Sequence, residues 1–314
     1  MRGTSTPVPT SGQRNGVTIG IPVFNEQDRI ERAIRCAAPQ CERLVVADNA
    51  STDATETICR RLATEYTHLE YVRHEQNMGS LENWHFLLSV TDSPYFMTLG
   101  SHDYIDANYI DTLLAIMLAD DSVIVAVGNL CFEYEEGSGP NTDEAFNAWE
   151  GGIQENAAAR VRSFIFDDAQ LAWLMQGLFR THEYKTHFTR DLPPYGIDAV
   201  FLATILQHGK IVVSPATRYH AWIRHSKGNH PSYLERLIGK KSRSSKRNRM
   251  RNNMRAALYK VLLGSEEPST LLDITRLRFQ VMTRLGTFKL NDTDPMFYLL
   301  YIPVKLARKL RRLF

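Results

Sequence analysis

Short uncharged apolar runs alternate with apolar stripes at helical spacing along the N-terminal part of the chain. Val17 to Phe24 (VTIGIPVF), Glu42 to Ala47 (ERLVVA), Leu69 to Arg73 and Tyr95 to Leu99 are the runs. Runs of this length, rich in β-branched and aromatic residues, predict buried strands. Between the first two, Ile30, Ala33, Ile34 and Ala37 share one face of a helix predicted over Gln27 to Ala38, which Pro39 ends. Asp53 and Glu56 form a capping-box pattern, so a second helix opens there and reaches about Tyr66. Leu81 to Val90 is a third. Strands and helices in this order predict an α/β fold with a parallel, doubly wound sheet, right-handed crossovers and both faces covered. Asp111 to Leu118 continues as helix and Val123 to Val127 as strand. Periodicity then fades, and Asn129 to Asp168 is expected to be a long insertion or loop over one sheet face. An apolar stretch (Ala169 to Phe179), a helix (Asp198 to Gln207) and a short strand (Lys210 to Ser214) follow.

Charge divides the chain further. The net charge of +2 arises from 37 Lys and Arg against 35 Asp and Glu. Ten of the basic residues lie in Arg236 to Lys260 and five in Pro303 to Phe314, neither of which holds an acid. The remaining 22 face all 35 acids, so an acidic body at −13 precedes a basic C-terminal region. That asymmetry points to an anionic surface as partner, membrane or nucleic acid. Met250, Met254 and Leu258 form one apolar stripe, and an apolar run at Met296 to Val304 precedes the last cations. Such helices lie in a membrane interface; a helix packed on the body with solvated lysines and arginines gives the same pattern. No nucleic-acid motif accompanies the charge, and nucleic acid is not expected as a partner. No run reaches the roughly 18 apolar residues of a spanning helix. Met1 to Gly16 is polar and is expected to be a loose tail, not a signal peptide. Cys36, Cys41, Cys59 and Cys131 form no CxxC pair and suggest reduced thiols in a cytosol.

Polar chemistry collects where predicted strands end. The strand at Tyr95 runs into Gly100-Ser101-His102-Asp103, the first into Asn25-Glu26, and the second into Asp48-Asn49-Ala50-Ser51-Thr52-Asp53. Ligands of open α/β sheets sit at such carboxyl ends. Each cluster has a plain alternative: a polar turn, an Asx-turn at Asp48, a cap at Asp53, Asp103 or Asp198.

These motifs together resemble family 2 glycosyltransferases of the GT-A fold. VTIGIPVFNE is similar to that family's opening P-x-Y/F-N-E, and DNASTDAT to its D-x-S-x-D-x-T signature. Asn77-x-Gly79 is similar to its N-x-G loop. Leu99 to Asp103 stands where the D-x-D motif is expected. Pro194-Tyr195-Gly196-Ile197-Asp198 resembles its late glycine/acid motif, and Gln176 to Arg180 (QGLFR) a sugar-site segment of some bacterial members. The resemblance covers about Val17 to Asn229. It implies a Rossmann-like GT-A domain over 17–230, with a nucleotide-sugar half (17–128) and an acceptor half (129–230). A tail (1–16) precedes it and a basic helical extension (231–314) follows.

The resemblance further implies an inverting transfer of a sugar from a nucleotide diphosphate to a hydroxyl. The acceptor is expected to be a glycan or lipid-linked glycan, in surface-polysaccharide synthesis on the cytoplasmic face of the cell membrane. Pro22, Phe24, Asn25, Glu26, Asp48, Asn77 and Gly79 would bind the nucleotide. Asp198 would be the general base. Arg224, His225 and His220, from the segment RYHAWIRHSKG, would hold the departing diphosphate; a solvated basic loop is the alternative. The D-x-D positions depart from the pattern, with Gly100 and His102 where aspartates are common. His102 and Asp103 are the remaining candidates for Mn²⁺ or Mg²⁺, or the leaving group is stabilised without metal. Trp173 and Trp222 either stack on sugar rings or belong to the core. Two other classes remain open: a non-catalytic nucleotide-sugar-binding relative, and a membrane-peripheral scaffold.

Overall fold

The computed structural model describes residues 16–134, 149–166, 171–193 and 196–223, with Asn253, Ala257 and Val261 beyond them. Three parallel pairings build the first half of one sheet. Strand β1 (Val17–Val23) lies between β2 (Arg43–Asp48) and β4 (Tyr95–Thr98), and β3 (Leu69–Arg73) flanks β2. Helices α1 (Ile30–Ala37), α2 (Thr55–Glu65) and α3 (Ser80–Ser89) make the crossovers. Ile19, Ile21, Leu44, Val46 and Met97 are fully buried, as their uncharged runs require. Helix α1 buries Ile30, Ala33, Ile34 and Ala37, the predicted stripe. Each fully buried Ile or Leu contributes about 1.5–3 kcal/mol.

The full order is β3-β2-β1-β4-β7-β6-β8-β5, and its second half is not parallel throughout. Strand β7 (Leu178–Arg180) runs antiparallel to both β4 and β6 (Val123–Tyr134), and β5 (Tyr104–Ile105) runs antiparallel to β8 (Lys210–Ile223). The chain enters β7 from the carboxyl edge, through a 3-10 turn at Leu171–Gln176, and so must run back. The expected loop over Asn129 to Asp168 is corrected in the same way. Its first residues extend β6 to Tyr134, and Ala157–Phe166 forms helix α5. The RYHAWI part of the basic segment is β8, paired with β6 and β5, and not a loop. Polar residues on this ribbon (Asn129, Glu133, Arg218, His220) hide the two-residue period of a strand.

Helix α4 (Tyr109–Ala119) backs β6, while α6 (Thr181–His187) and α7 (Ile197–His208) meet in an aromatic cluster. Phe201 of α7 packs on Tyr184 at 4.8 Å and on Phe188 at 5.2 Å, and Phe179 of β7 lies 4.6 Å from Tyr184. Buried Arg160 donates from Nε to the Leu206 carbonyl at 2.9 Å, occupying an acceptor in the last turn of α7. After Gly209, Lys210 lies opposite Val123, the first residue of β6. Twelve helical residues span about 18 Å, so α7 begins at the opposite edge, where β1, β2 and β4 end.

Beyond residue 223, Asn253, Ala257 and Val261 are helical. Ala257 and Val261 pack on the core, and the Val261 carbonyl accepts from Gln207 Nε2 at 2.7 Å. These positions favour a helix docked on the body. Met250, Met254, Leu258, the 303–314 stretch and the N-terminal tail to residue 15 lie outside the described residues. Among the described residues no helix is long and apolar enough to cross a membrane.

Candidate active site

The loops after β1 and β2 are zipped together. Asn25 N–H donates to Ser51 Oγ at 2.9 Å, Glu26 N–H to Thr55 Oγ1 at 3.0 Å, and Gln27 N–H to Asp53 Oδ2 at 3.1 Å. In return Thr52 N–H donates to Asn25 Oδ1 at 2.7 Å and Ala54 N–H to Gln27 Oε1 at 2.9 Å. The hydroxyls and second carboxylate of DNASTDAT therefore hold the N-E-Q loop. Asp53 also accepts from Thr55 N–H at 3.0 Å, a structural contact, but the N-cap of α2 is Ala54 and Glu56 pairs with Arg60 and Arg73 instead of closing the expected capping box. Asn25 and Ala50 lie at φ +54° and +63°, left-handed positions that Asn tolerates and Ala resists.

Asp48 is fully buried. Its Oδ1 accepts from Ser51 N–H at 2.8 Å and its Oδ2 from the Tyr71 hydroxyl at 2.6 Å. Burial and that carboxylate push the Tyr71 phenol far up, so it stays a donor. Pro22 is half-buried and Phe24, directly after β1, is 44% exposed. Asn77 Oδ1 accepts from Gly79 N–H and from Asn49 Nδ2, both at 2.9 Å, and Asn49 Oδ1 accepts from Met78 N–H at 2.8 Å. Gly79 needs φ +88°, which favours glycine. Asn49, which the sequence reading names but gives no role of its own, therefore fixes the N-x-G loop to β2. The first loop carries Asn25 and Glu26 to the same edge.

The D-x-D stretch is built differently. Asp103 is buried; its Oδ2 accepts from the Tyr219 hydroxyl at 2.6 Å and its Oδ1 from Trp222 N–H at 2.9 Å. The Tyr219 hydroxyl also accepts from Gly100 N–H at 3.2 Å. A side chain at position 100 would collide with Asp103, a Cβ there lying 2.9 Å from its carboxyl carbon. His102 stands 3.5 Å from Glu26 through Nδ1 and 3.7 Å from Asp103 through Nε2. Burial opposes its charged form, yet the Glu26 hydrogen bond and the charges of Asp103 and Glu26 outweigh burial, so its pKa is raised. Arg29, which the sequence did not single out, stacks on Trp222 with its guanidinium 3.4 Å from the ring centre. Trp222 is thus at the site edge, whereas Trp173 is buried in the core.

Asp103 and His102 do not by themselves complete a site for a divalent cation. Both Asp103 oxygens already accept hydrogen bonds, and both His102 nitrogens face carboxylates, a setting that favours the imidazolium. Protonated imidazole is not a ligand. Among the described residues no group of three or more His, Cys, Asp or Glu is placed to hold a metal.

His220 lies elsewhere than expected. Its Nε2 is 2.9 Å from Asp106 Oδ1, its ring stacks on Tyr104 at 4.2 Å, and it is 13% exposed. It is a sheet-side partner of Asp106. Arg224 and His225 lie outside the described residues, as do Pro194 and Tyr195. Gly196, at φ +70°, turns the chain into α7 and sets Asp198 in its first turn. Burial pushes the Asp198 carboxyl up, against the pull of the Ala199 and Asp198 amides. The QGLFR segment is split. Gln176 stands near the carboxyl edge, while Arg180 binds the Val123 and Met117 carbonyls at 2.9 and 2.8 Å on the opposite edge.

Comparison with known proteins agrees with this geometry. A stretch of 121 residues is 31% identical to the succinoglycan biosynthesis protein ExoA of Rhizobium meliloti, covering 36% of this chain and 37% of that protein. Another of 69 residues is 32% identical to the glycosyltransferase AglE of Haloferax volcanii, covering 20% of this chain and 23% of that one. The chain thus aligns with little more than a third of the length of one of these relatives and less than a quarter of the other. Among solved structures, Staphylococcus aureus TarS 1-349 superposes with a TM-score of 0.58 at 15% identity, over 87% of this chain and 72% of that one. GalNAc-T7, solved with UDP, GalNAc and Mn²⁺, superposes at 0.53 and 12% identity, over 86% and 55%. These likenesses show a shared GT-A fold. The family model described as glycosyl transferase family 2 matches residues 18–181, which include the zipped loops and the Gly100–Asp103 turn, and the chain belongs to that family.

Proposed function

We propose that this chain transfers a sugar from a nucleotide diphosphate to an acceptor hydroxyl, with inversion at the anomeric carbon. One observation carries the reading: the ends of β1, β2 and β4 and the start of α7 lie at one edge of a family 2 sheet, with Asp48, the Gly100–Asp103 turn and a half-buried carboxylate, Asp198. The nucleotide lies over the zipped loops, with its base toward Asp48 and Phe24. UDP-GlcNAc bound to TarS supports a donor of this class.

In the transfer, the acceptor hydroxyl gives its proton to Asp198 as its oxygen bonds the anomeric carbon. The bond from that carbon to the diphosphate oxygen breaks, and its electron pair leaves with the nucleoside diphosphate. A carboxylate kept from bulk water is a stronger base than an exposed one. Arg29 and a protonated His102 offer positive charge to the leaving group, with Arg224 and His225 in the adjoining segment. A divalent ion, such as the Mn²⁺ of the GalNAc-T7 structure, would need ligands other than Asp103 as it is held here. The succinoglycan name of the ExoA relative supports a glycan acceptor; the basic C-terminal region, which would meet anionic lipid, is the feature in favour of a lipid-linked one at the inner membrane face.

A thermal-shift series with UDP, GDP, UDP-glucose, UDP-N-acetylglucosamine and GDP-mannose tests the donor class. A ligand that binds only the folded chain raises its Tm, by about 2.7 kcal/mol of linkage at a hundredfold excess over Kd. No shift with any of the five would remove the nucleotide-sugar reading.

A further inference from the structure

We infer that Tyr184 is a positioning residue of the transfer reaction: it sets the helix of the base, α7, against the strand that carries the Gly100–Asp103 turn. The inference rests on the reading of Asp198 as base and extends it to a residue that solvent barely reaches. Tyr184 is 2% exposed and sits in the middle of α6. Its ring packs on Phe96 of β4 at 5.5 Å, on Phe179 of β7 at 4.6 Å and on Phe201 of α7 at 4.8 Å. Its hydroxyl shares a hydrogen bond with the side chain of Thr98, the last residue of β4.

These contacts have a direction. Phe96 and Thr98 are two apart in a strand and so share one face of the sheet. The Tyr184 ring packs on the first and its hydroxyl reaches the second, so the side chain points along β4 toward the carboxyl edge. Two residues beyond Thr98 the turn begins. The same ring stacks on Phe201 with the planes 25° apart. Phe201 stands three residues after Asp198, one turn along the same helix face. One side chain therefore spans from the D-x-D strand to the first turns of the base helix. Close packing of the rings fixes the thickness of that layer. The hydroxyl fixes where the ring stands along the strand.

That spacing matters to the reaction. The diphosphate rests at the turn, the acceptor oxygen must attack from the face of the anomeric carbon opposite to it, and Asp198 must lie within hydrogen-bond reach of that oxygen. A misplacement of about 1 Å can cost about a hundredfold in rate. Burial pushes the Tyr184 phenol up, so it stays protonated and the bond to Thr98 does not come and go with pH.

Tyr184→Phe and Thr98→Val, singly and together, test this in the full chain. Each nearly keeps the shape of its side chain and removes one partner of the bond. Release of nucleoside diphosphate from UDP-glucose, UDP-N-acetylglucosamine and GDP-mannose is measured, with water standing in for the acceptor. The kcat for the preferred donor is expected to fall about tenfold in each single variant and by no more in the double, while calorimetry finds wild-type affinity for UDP or GDP. Stability should run differently. Each single variant strands a buried hydroxyl and melts lower, and the double, which strands none, melts closer to wild type. A kcat that recovers with the melting temperature in the double variant would make the bond structural only and overturn the inference. Wild-type kcat in Tyr184→Phe beside a slow Asp198→Asn would also overturn it. A fast Asp198→Asn would overturn the base reading itself, and the inference with it. If the wild type turns over none of the three donors, hydrogen exchange in the first turn of α7 decides: it should be faster in Tyr184→Phe, and unchanged exchange would overturn the inference.

Discussion

Two corners of the same sheet edge differ in how their polar groups are satisfied. Around β1 and β2, polar groups of Asn25, Gln27, Ser51, Thr52 and Asp53 bond across the two loops, Asp48 is held by Ser51 and Tyr71, and little is left for a ligand except Phe24 and the loop rims. Around β6 and β7, two buried amide oxygens bond nothing. The first corner is a finished scaffold whose shape a nucleotide can use. The second leaves acceptors unused, on Asn129 and Gln176. Motif letters therefore mark framework as often as contact.

The strongest way to break this comparison is at the base. Asp198→Asn is expected to lower kcat by about 10²- to 10⁴-fold while nucleoside diphosphate affinity holds. Retained turnover would take Asp198 out of the reaction. In the wild type, the base form is lost as pH falls through a pKa raised above the ordinary carboxylate range. The acid limb of kcat should therefore lie higher than an exposed carboxylate would place it, and should be missing from the residual rate of the variant.

Asp103 comes next. If it is framework, Asp103→Ala leaves the Tyr219 hydroxyl and Trp222 N–H unpaired and should cost about 2–4 kcal/mol in urea unfolding. Tyr219→Phe should cost about 1–2 kcal/mol. A stable Asp103→Ala protein would make the carboxylate a ligand group held in waiting. Asp48→Ala should weaken nucleoside diphosphate binding by about 1.5–3 kcal/mol, and Tyr71→Phe by less than about 0.5 kcal/mol. Equal losses would make both residues turn supports. The smallest expected effect is of metal: EDTA and Mn²⁺ should leave nucleoside diphosphate affinity within about twofold, since the side chains at the D-x-D positions are already paired. A large Mn²⁺ dependence would show that Asp103 lets go of Tyr219.

The first half of the fold was legible because each strand there is a continuous apolar run and each helix carries one clean stripe. Strand β7 was not, because its three residues set up no period. The far part of β8 was missed because its cations suggested solvent, while in fact His220 pairs with Asp106 and Trp222 takes Arg29 on its face. At the site, Asp48, Asn77, Gly79 and Asp198 were visible through motif spacing. The supporting roles of Asn49 and Tyr219 were invisible, because each acts through a partner distant in the chain. Arg180 shows the opposite error: four residues beyond Gln176, it belongs to the other edge of the sheet.

The contact between Gly100 and Asp103 also limits how this sequence can change. An acidic residue at position 100 cannot be added alone, because its Cβ would land on the Asp103 carboxyl group. Asp103 would first have to leave Tyr219, and that step weakens the protein before any new ligand exists to compensate. The two positions are epistatic: the order of mutation matters, and the direct path from Gly-x-His-Asp back to two aspartates crosses a valley. A laboratory selection for metal-stimulated activity should therefore return double changes involving position 219 or 103 before it returns an acidic residue at position 100 by itself.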